Sequence, residues 1–246
     1  MKLALPLTLL SLSHNLAVAP VTLGAPSTST LSKRQTNVPL RILPLGDSIT
    51  YGYMQGQSTN GYRQELREKL IAAGKTVDFV GTLRSGNMAD NENEGHSGWV
   101  ISQVRGVIQP AIALKPNVVL IHLATNDLNR GNNPPEPDAQ APTRLGALID
   151  DILAKLPNAA IFVAKIVQTT NGGLQQKFNT YNAAIPGVVK ARTDKGFKVF
   201  VVDQSVVGGS ELSDYLHPNA AGYKHMGDIW AAAVLNNTAS ITAPPS

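Results

Sequence analysis

Four short stretches hold side chains that could do chemistry together: Gly46-Asp47-Ser48, Gly98 within 93–99, Thr125-Asn126-Asp127, and Asp214 three residues before His217. Serine is a poor nucleophile until a base takes its proton, and the base works best when a third group fixes its tautomer. The spacing of Asp214 and His217 lets one turn of chain set the carboxylate beside the imidazole, and Pro218 favours a fixed turn there. Ser48 opposite His217 would complete a nucleophile, a base and an orienting acid. Attack on a carbonyl also builds charge on its oxygen. The Ser48 N–H, the Gly98 N–H and the Asn126 side-chain amide are the donors available for it.

Taken singly, each stretch has a plainer reading. Gly-Asp-Ser is also a turn with a helix N-cap, Asn126-Asp127 could cap a loop, and a lone histidine is commonly a surface residue. The elements around them favour the chemical reading. Apolar runs rich in β-branched residues occupy 41–45, 77–81, 117–124, 159–167 and 198–203, and near-continuous hydrophobicity is what strands covered on both faces require. Segments with helical spacing lie between and after them, at 62–73, 99–110, 142–156, 173–194 and 219–235. This alternation predicts a single three-layer α/β/α sandwich around a five-stranded parallel sheet. In such a sheet function collects beyond the C-terminal strand ends, and each of the four stretches follows a strand.

The ends read as processing segments. Residues 1–24 have the short basic start and leucine-rich centre of a secretory signal, cut between about residues 17 and 25, with Pro20 disfavouring a cut directly before it. Residues 25–34 read as a pro-segment ending at Lys33-Arg34, leaving 35–246 as one domain with a short disordered C-terminal tail. Removing residues 1–34 leaves 18 basic against 17 acidic residues, which gives no support for nucleic-acid binding. The apolar start is too short and interrupted to span a bilayer. The expectation is a secreted monomer, with Asn236-Asn237-Thr238 as a glycosylation sequon. The chain has no cysteine, so its stability must come from its core, and thiolate catalysis and Cys-based zinc sites are excluded.

Several other residues invite a role. Asp47, Tyr51, Trp99 and His96 flank the expected site and are candidates for substrate contact, Tyr51 and Trp99 together with Tyr53 as a sugar platform. For Asp47, bonds that hold the turn are the plainer role. His122 and Trp230 read as core, and His225 as a residue of the last helix. Asp90, Glu92 and Glu94 alternate as calcium ligands can, but they lack EF-hand spacing and read as a solvated acidic loop. No metal or cofactor is expected.

Gly46-Asp47-Ser48, Gly98, Asn126 and Asp214-x-x-His217 resemble the four signature blocks of the GDSL, or SGNH, hydrolases, over about 40–235. That resemblance implies a flavodoxin-like fold and a metal-free serine esterase. The wording "RILPLGDSITYG", "GYRQELREKL", "VDFVG", "NEGHSGW" and "DYLHPNAAGY" is similar to carbohydrate esterase family three. It implies deacetylation of xylan or a related plant polysaccharide. An SGNH lipase, lysophospholipase or thioesterase is the alternative within the superfamily, and a carbohydrate-binding protein without turnover the alternative outside it. One departure stands out: Ala124 occupies the place where the third block usually has glycine. Alanine should be accepted there unless φ is positive.

Overall fold

A computed structural model of the chain describes residue 1, residues 38–129 and residues 136–245. The signal and pro-segment expected over 1–34 lie outside the described residues, except Met1.

Five parallel strands form the body of the sheet: β1 (Leu40–Gly46), β2 (Val77–Phe79), β3 (Val118–His122), β4 (Ala160–Lys165) and β5 (Val199–Asp203). Their order is β2-β1-β3-β4-β5, with Ile42 opposite Val118 and Gly46 opposite His122. All five apolar runs read from the sequence are strands.

Among the helices that frame the sheet and its C-terminal edge are α1 (Ser48–Tyr51), α2 (Tyr62–Ala72), α3 (Ile101–Val107), α4 (Ala141–Lys155), α5 (Gly172–Thr193) and α6 (Ala220–Asn236). Successive side chains of a strand point to opposite faces. Leu43, Leu45, Val119, Ile121, Ile161 and Val163 therefore pack against α3, α4 and α5. Leu40, Ile42, Val118, Leu120, Ala160 and Phe162 pack against α2 and α6, where Trp230 is completely buried. The result is the three-layer sandwich. Among the described residues no helix is long and apolar enough to cross a membrane.

Two segments differ from the sequence reading. Residues 92–94, read as part of a solvated acidic loop, belong to a short strand, Glu92–Gly95, parallel to the end of β1 and antiparallel to Leu83–Arg84. Its acids are engaged separately. Asp90 binds Arg67 and the Phe79 N–H, Glu92 binds Arg84, and the buried Glu94 binds Thr82 and His96. Among the described residues no cluster of such groups is arranged for a metal ion.

Part of the C-terminal segment, expected as a disordered tail, is docked, as far as Thr242. Ile241 is buried, and the Asn117 side-chain amide donates to the Thr242 carbonyl at 2.7 Å. The same side chain accepts from the Arg41 N–H and donates to the Pro39 carbonyl, so one amide holds the start of β1 and the end of the chain.

Candidate active site

β1 ends at Gly46, a position where nothing larger fits. A Cβ there would lie 2.3 Å from the His122 carbonyl oxygen and 2.3 Å from the Thr50 hydroxyl. Asp47 then caps α1, its Oδ1 accepting from the Ile49 N–H at 3.0 Å. Ser48 is the first residue of that helix and is 6% exposed.

Ser48 Oγ lies 2.9 Å from His217 Nε2, and His217 Nδ1 lies 2.9 Å from Asp214 Oδ2. The other oxygen of Asp214 accepts from the N–H groups of Leu216 and His217, each at 2.7 Å. The loop is closed by a bridge between Leu212 and Pro218 and by the Ser213 N–H on the His217 carbonyl. Partial burial alone would raise the Asp214 pKa, but the bonds from the His217 N–H, the His217 ring and the Leu216 N–H outweigh it and hold the pKa below the usual carboxylate value. An ionised Asp214 fixes the Nδ1–H tautomer of His217 and leaves Nε2 to receive the Ser48 proton.

The expected oxyanion donors come from three places: Ser48 opens α1, Gly98 sits in the 96–99 turn, and Asn126 lies in the short helix Thr125–Asn129 that follows β3. The His96 N–H bonds the Gly46 carbonyl at 2.9 Å, which ties the 96–99 turn to the end of β1. Gly98 has φ +81°, a conformation that suits glycine. Asn126 Nδ2 donates to the Trp99 carbonyl at 2.9 Å, which orients the amide and leaves its second N–H for another acceptor.

The residues considered for substrate contact are placed differently from one another. Asp47 is completely buried and cannot touch substrate from there. Burial pushes its pKa up to about 6, against the Ile49 N–H, the Thr125 hydroxyl and His217, which pull it down. His96 is half-buried, its Nε2 2.7 Å from Glu94 and its ring stacked on Trp99 at 4.5 Å, so one face of each ring is covered. Tyr51 is half-buried, and its carbonyl accepts from Ser85 and Arg63. Tyr53 contacts the base instead, with its ring 4.6 Å from that of His217. His122 is buried as expected, and burial holds its pKa down at about 4. His225 pairs with Glu211 at the surface.

Ala124 has φ +115° and is buried, so the condition under which alanine costs something is met. A non-glycine residue held there stores about 1–3 kcal/mol. Two residues, Arg63 and Arg144, had no distinctive signal. Arg63, buried among backbone carbonyls, donates to Tyr51, Thr59, Ser85 and Asn91. Asp127 accepts from the Ile101 N–H and from Arg144. Burial raises the Asp127 pKa, and Arg144 opposes that rise.

The family model described as the GDSL-like lipase/acylhydrolase family matches residues 45–225. A family 3 carbohydrate esterase of Clostridium thermocellum is 34% identical, with a TM-score of 0.70 over 82% of this chain and 98% of that one. A carbohydrate esterase family 3 structure from Talaromyces cellulolyticus is 25% identical, with a TM-score of 0.68 over 82% of this chain and 100% of that one. A multidomain esterase of Ruminococcus flavefaciens is 28% identical over 252 residues, 90% of this chain. The chain spans 32% and 48% of the lengths of the curated relatives it matches.

Proposed function

The chain belongs to the GDSL-like lipase/acylhydrolase family and is a carboxylic ester hydrolase, and from that premise we propose that it is a secreted, monomeric serine esterase that removes acetyl groups from xylan or a related plant polysaccharide. The observation that carries the reading is the continuous 2.9 Å relay from Ser48 through His217 to Asp214 beyond the C-terminal end of β1. The names of the family 3 carbohydrate esterases similar to this chain support a carbohydrate ester as the substrate.

Ser48 Oγ attacks the acetyl carbonyl carbon while His217 Nε2 takes its proton. The tetrahedral oxygen is held by the Ser48 and Gly98 N–H groups and the Asn126 amide. Its collapse breaks the bond to the sugar oxygen, which leaves with the proton from His217. Water then attacks the acetyl-enzyme, giving its proton to His217 and releasing acetate, and the proton returns to Ser48. Asp214 stays ionised throughout and stabilises the imidazolium.

Acetate release from acetylated xylan by the protein and by its Ser48→Ala variant tests this. The variant should remain folded and lose about 10⁴-fold or more of kcat. Equal release by both would overturn the mechanism.

A further inference from the structure

Beside the relay lies a second concavity that the hydrolytic steps do not use. It has a volume of about 560 Å³ and is bordered by the hairpin strand Gln57–Ser58, the Gly86-Asn87 turn and the exposed edge of α2, with Tyr223 of α6 at its base. Ligand sites commonly occupy about 300–1,000 Å³. Two of its lining residues put it next to the chemistry: Met54 follows Tyr53, whose ring packs on His217, and Ala220 is three residues beyond His217.

The frame is built in advance. Asn60 uses its whole hydrogen-bonding capacity on the walls: Oδ1 accepts from the N–H groups of Asn87 and Met88, and Nδ2 donates to Gln64 and Asn87. The Gly86 N–H donates to Ser58 Oγ at 3.0 Å, joining the hairpin to the opposite turn. The Tyr223 hydroxyl donates to the Tyr53 carbonyl at 2.7 Å, joining the base of the groove to the residue that touches His217.

The groups still available point to one kind of ligand. Among the described residues nothing engages the Gln57 amide or Asn87 Nδ2, and Ser58 Oγ, which accepts from Gly86, keeps its proton to donate. These are neutral groups, and amide and hydroxyl between them both give and accept. The ions at the far end cancel, with Lys224 2.9 Å from Glu65. Among the described residues that line the groove no unpaired cation is there to draw a phosphate or uronate, and Met54, Ala220 and Tyr223 offer too little apolar wall for an acyl chain. The chemistry left is that of an uncharged polyhydroxylated chain.

We propose that this groove binds the sugar units adjoining the acetylated one, with Gln57, Ser58 and Asn87 hydrogen-bonding their hydroxyls. The proposal rests on the polysaccharide deacetylase reading. Substrate affinity is then divided: the relay handles the acetyl ester, and the groove holds the chain that bears it.

The test is the Gln57→Ala/Asn87→Ala double variant, altered at two exposed side chains, assayed on acetylated xylo-oligosaccharides and on 4-nitrophenyl acetate. Losing two hydrogen bonds should raise KM for the oligosaccharides about tenfold with little change in kcat. The small ester, which has no chain to place in the groove, should be hydrolysed as by the unaltered protein. Unchanged constants on both substrates would overturn the groove and leave the deacetylase reading intact. An equal loss on both would overturn it too, because the residues would then be acting on the relay. If the unaltered protein cleaved 4-nitrophenyl acetate but released nothing from the oligosaccharides, the polysaccharide reading would fail, and the assigned ligand with it.

Discussion

The nucleophile and the base are held in opposite ways. Gly46, Asp47, Ser48, Ile49 and Thr50 are all buried, between the end of β1 and the 92–95 strand, so the global core decides where Ser48 Oγ lies. The loop bearing His217 is at the surface, with the Asp214 side chain 36% exposed, and it is shaped by bonds among its own residues from 212 to 219. One partner is therefore placed by folding itself and the other by a local turn. Substitutions should tell the two apart.

The largest effect should come from the local side. Asp214→Asn keeps an oxygen for the Leu216 and His217 N–H groups but removes the charge opposite His217 Nδ1. A kcat lower by about 10³–10⁴-fold with only a small fall in melting temperature is expected, as for the equivalent change in other serine hydrolase relays. A large fall in melting temperature would mean that the loop is not self-sufficient. Arg63→Ala should do the reverse. It takes one donor from each of the Tyr51, Thr59, Ser85 and Asn91 carbonyls, of which Tyr51 keeps the Ser85 hydroxyl and Asn91 keeps the Ser85 N–H and the Asn93 amide. Urea unfolding should show a loss of about 3 kcal/mol or more.

The carboxylates of the two regions should also answer pH with opposite sign. Asp47 has a folded pKa near 6 against 3.8 for the free group, so it binds its proton more tightly folded than unfolded. Its contribution to stability falls as pH rises from about 4 to 6, by up to about 3 kcal/mol, and stays low above that. Asn can still cap α1, so Asp47→Asn should stabilise the protein above pH 6 and change little near pH 4. Asp214 has a lowered pKa, so its contribution is present above the unfolded value and is lost as pH falls through the folded one. Urea midpoints at pH 4, 5, 6 and 7 would read both. The smallest effect is expected from Ala124→Gly, which relieves the +115° φ at some entropic cost and should raise stability by about 1 kcal/mol or less. A lower melting temperature would mean that packing of the methyl group outweighs the strain.

These contrasts bear on what the sequence can reveal. The relay was legible because acyl transfer demands particular residue types, and each one follows a strand whose apolar run is unmistakable. Arg63 was not, since in "GYRQELREKL" nothing separates it from Arg67, whose side chain is 34% exposed. Glu92–Gly95 reads as a polar loop because it pairs with only two residues of β1, too few to impose an apolar pattern. The identity of Ala124 was visible, but its φ was not, because a dihedral is settled by the chain on both sides. Asp47 reads as an acid that holds the turn or touches substrate, and only the packing of the 92–95 strand and α1 shows that water cannot reach it.

The clasp at Asn117 has a consequence for how the domain can be joined to others. Both ends it holds, Pro39 and Thr242, lie at the N-terminal edge of the sheet, whereas Ser48 lies beyond the C-terminal edge. A module fused to either end would be tethered on the side away from the ester and leave the catalytic face clear. The same proximity makes the domain a suitable starting point for circular permutation, with a short linker bridging 39 and 242 and new termini opened in a surface loop.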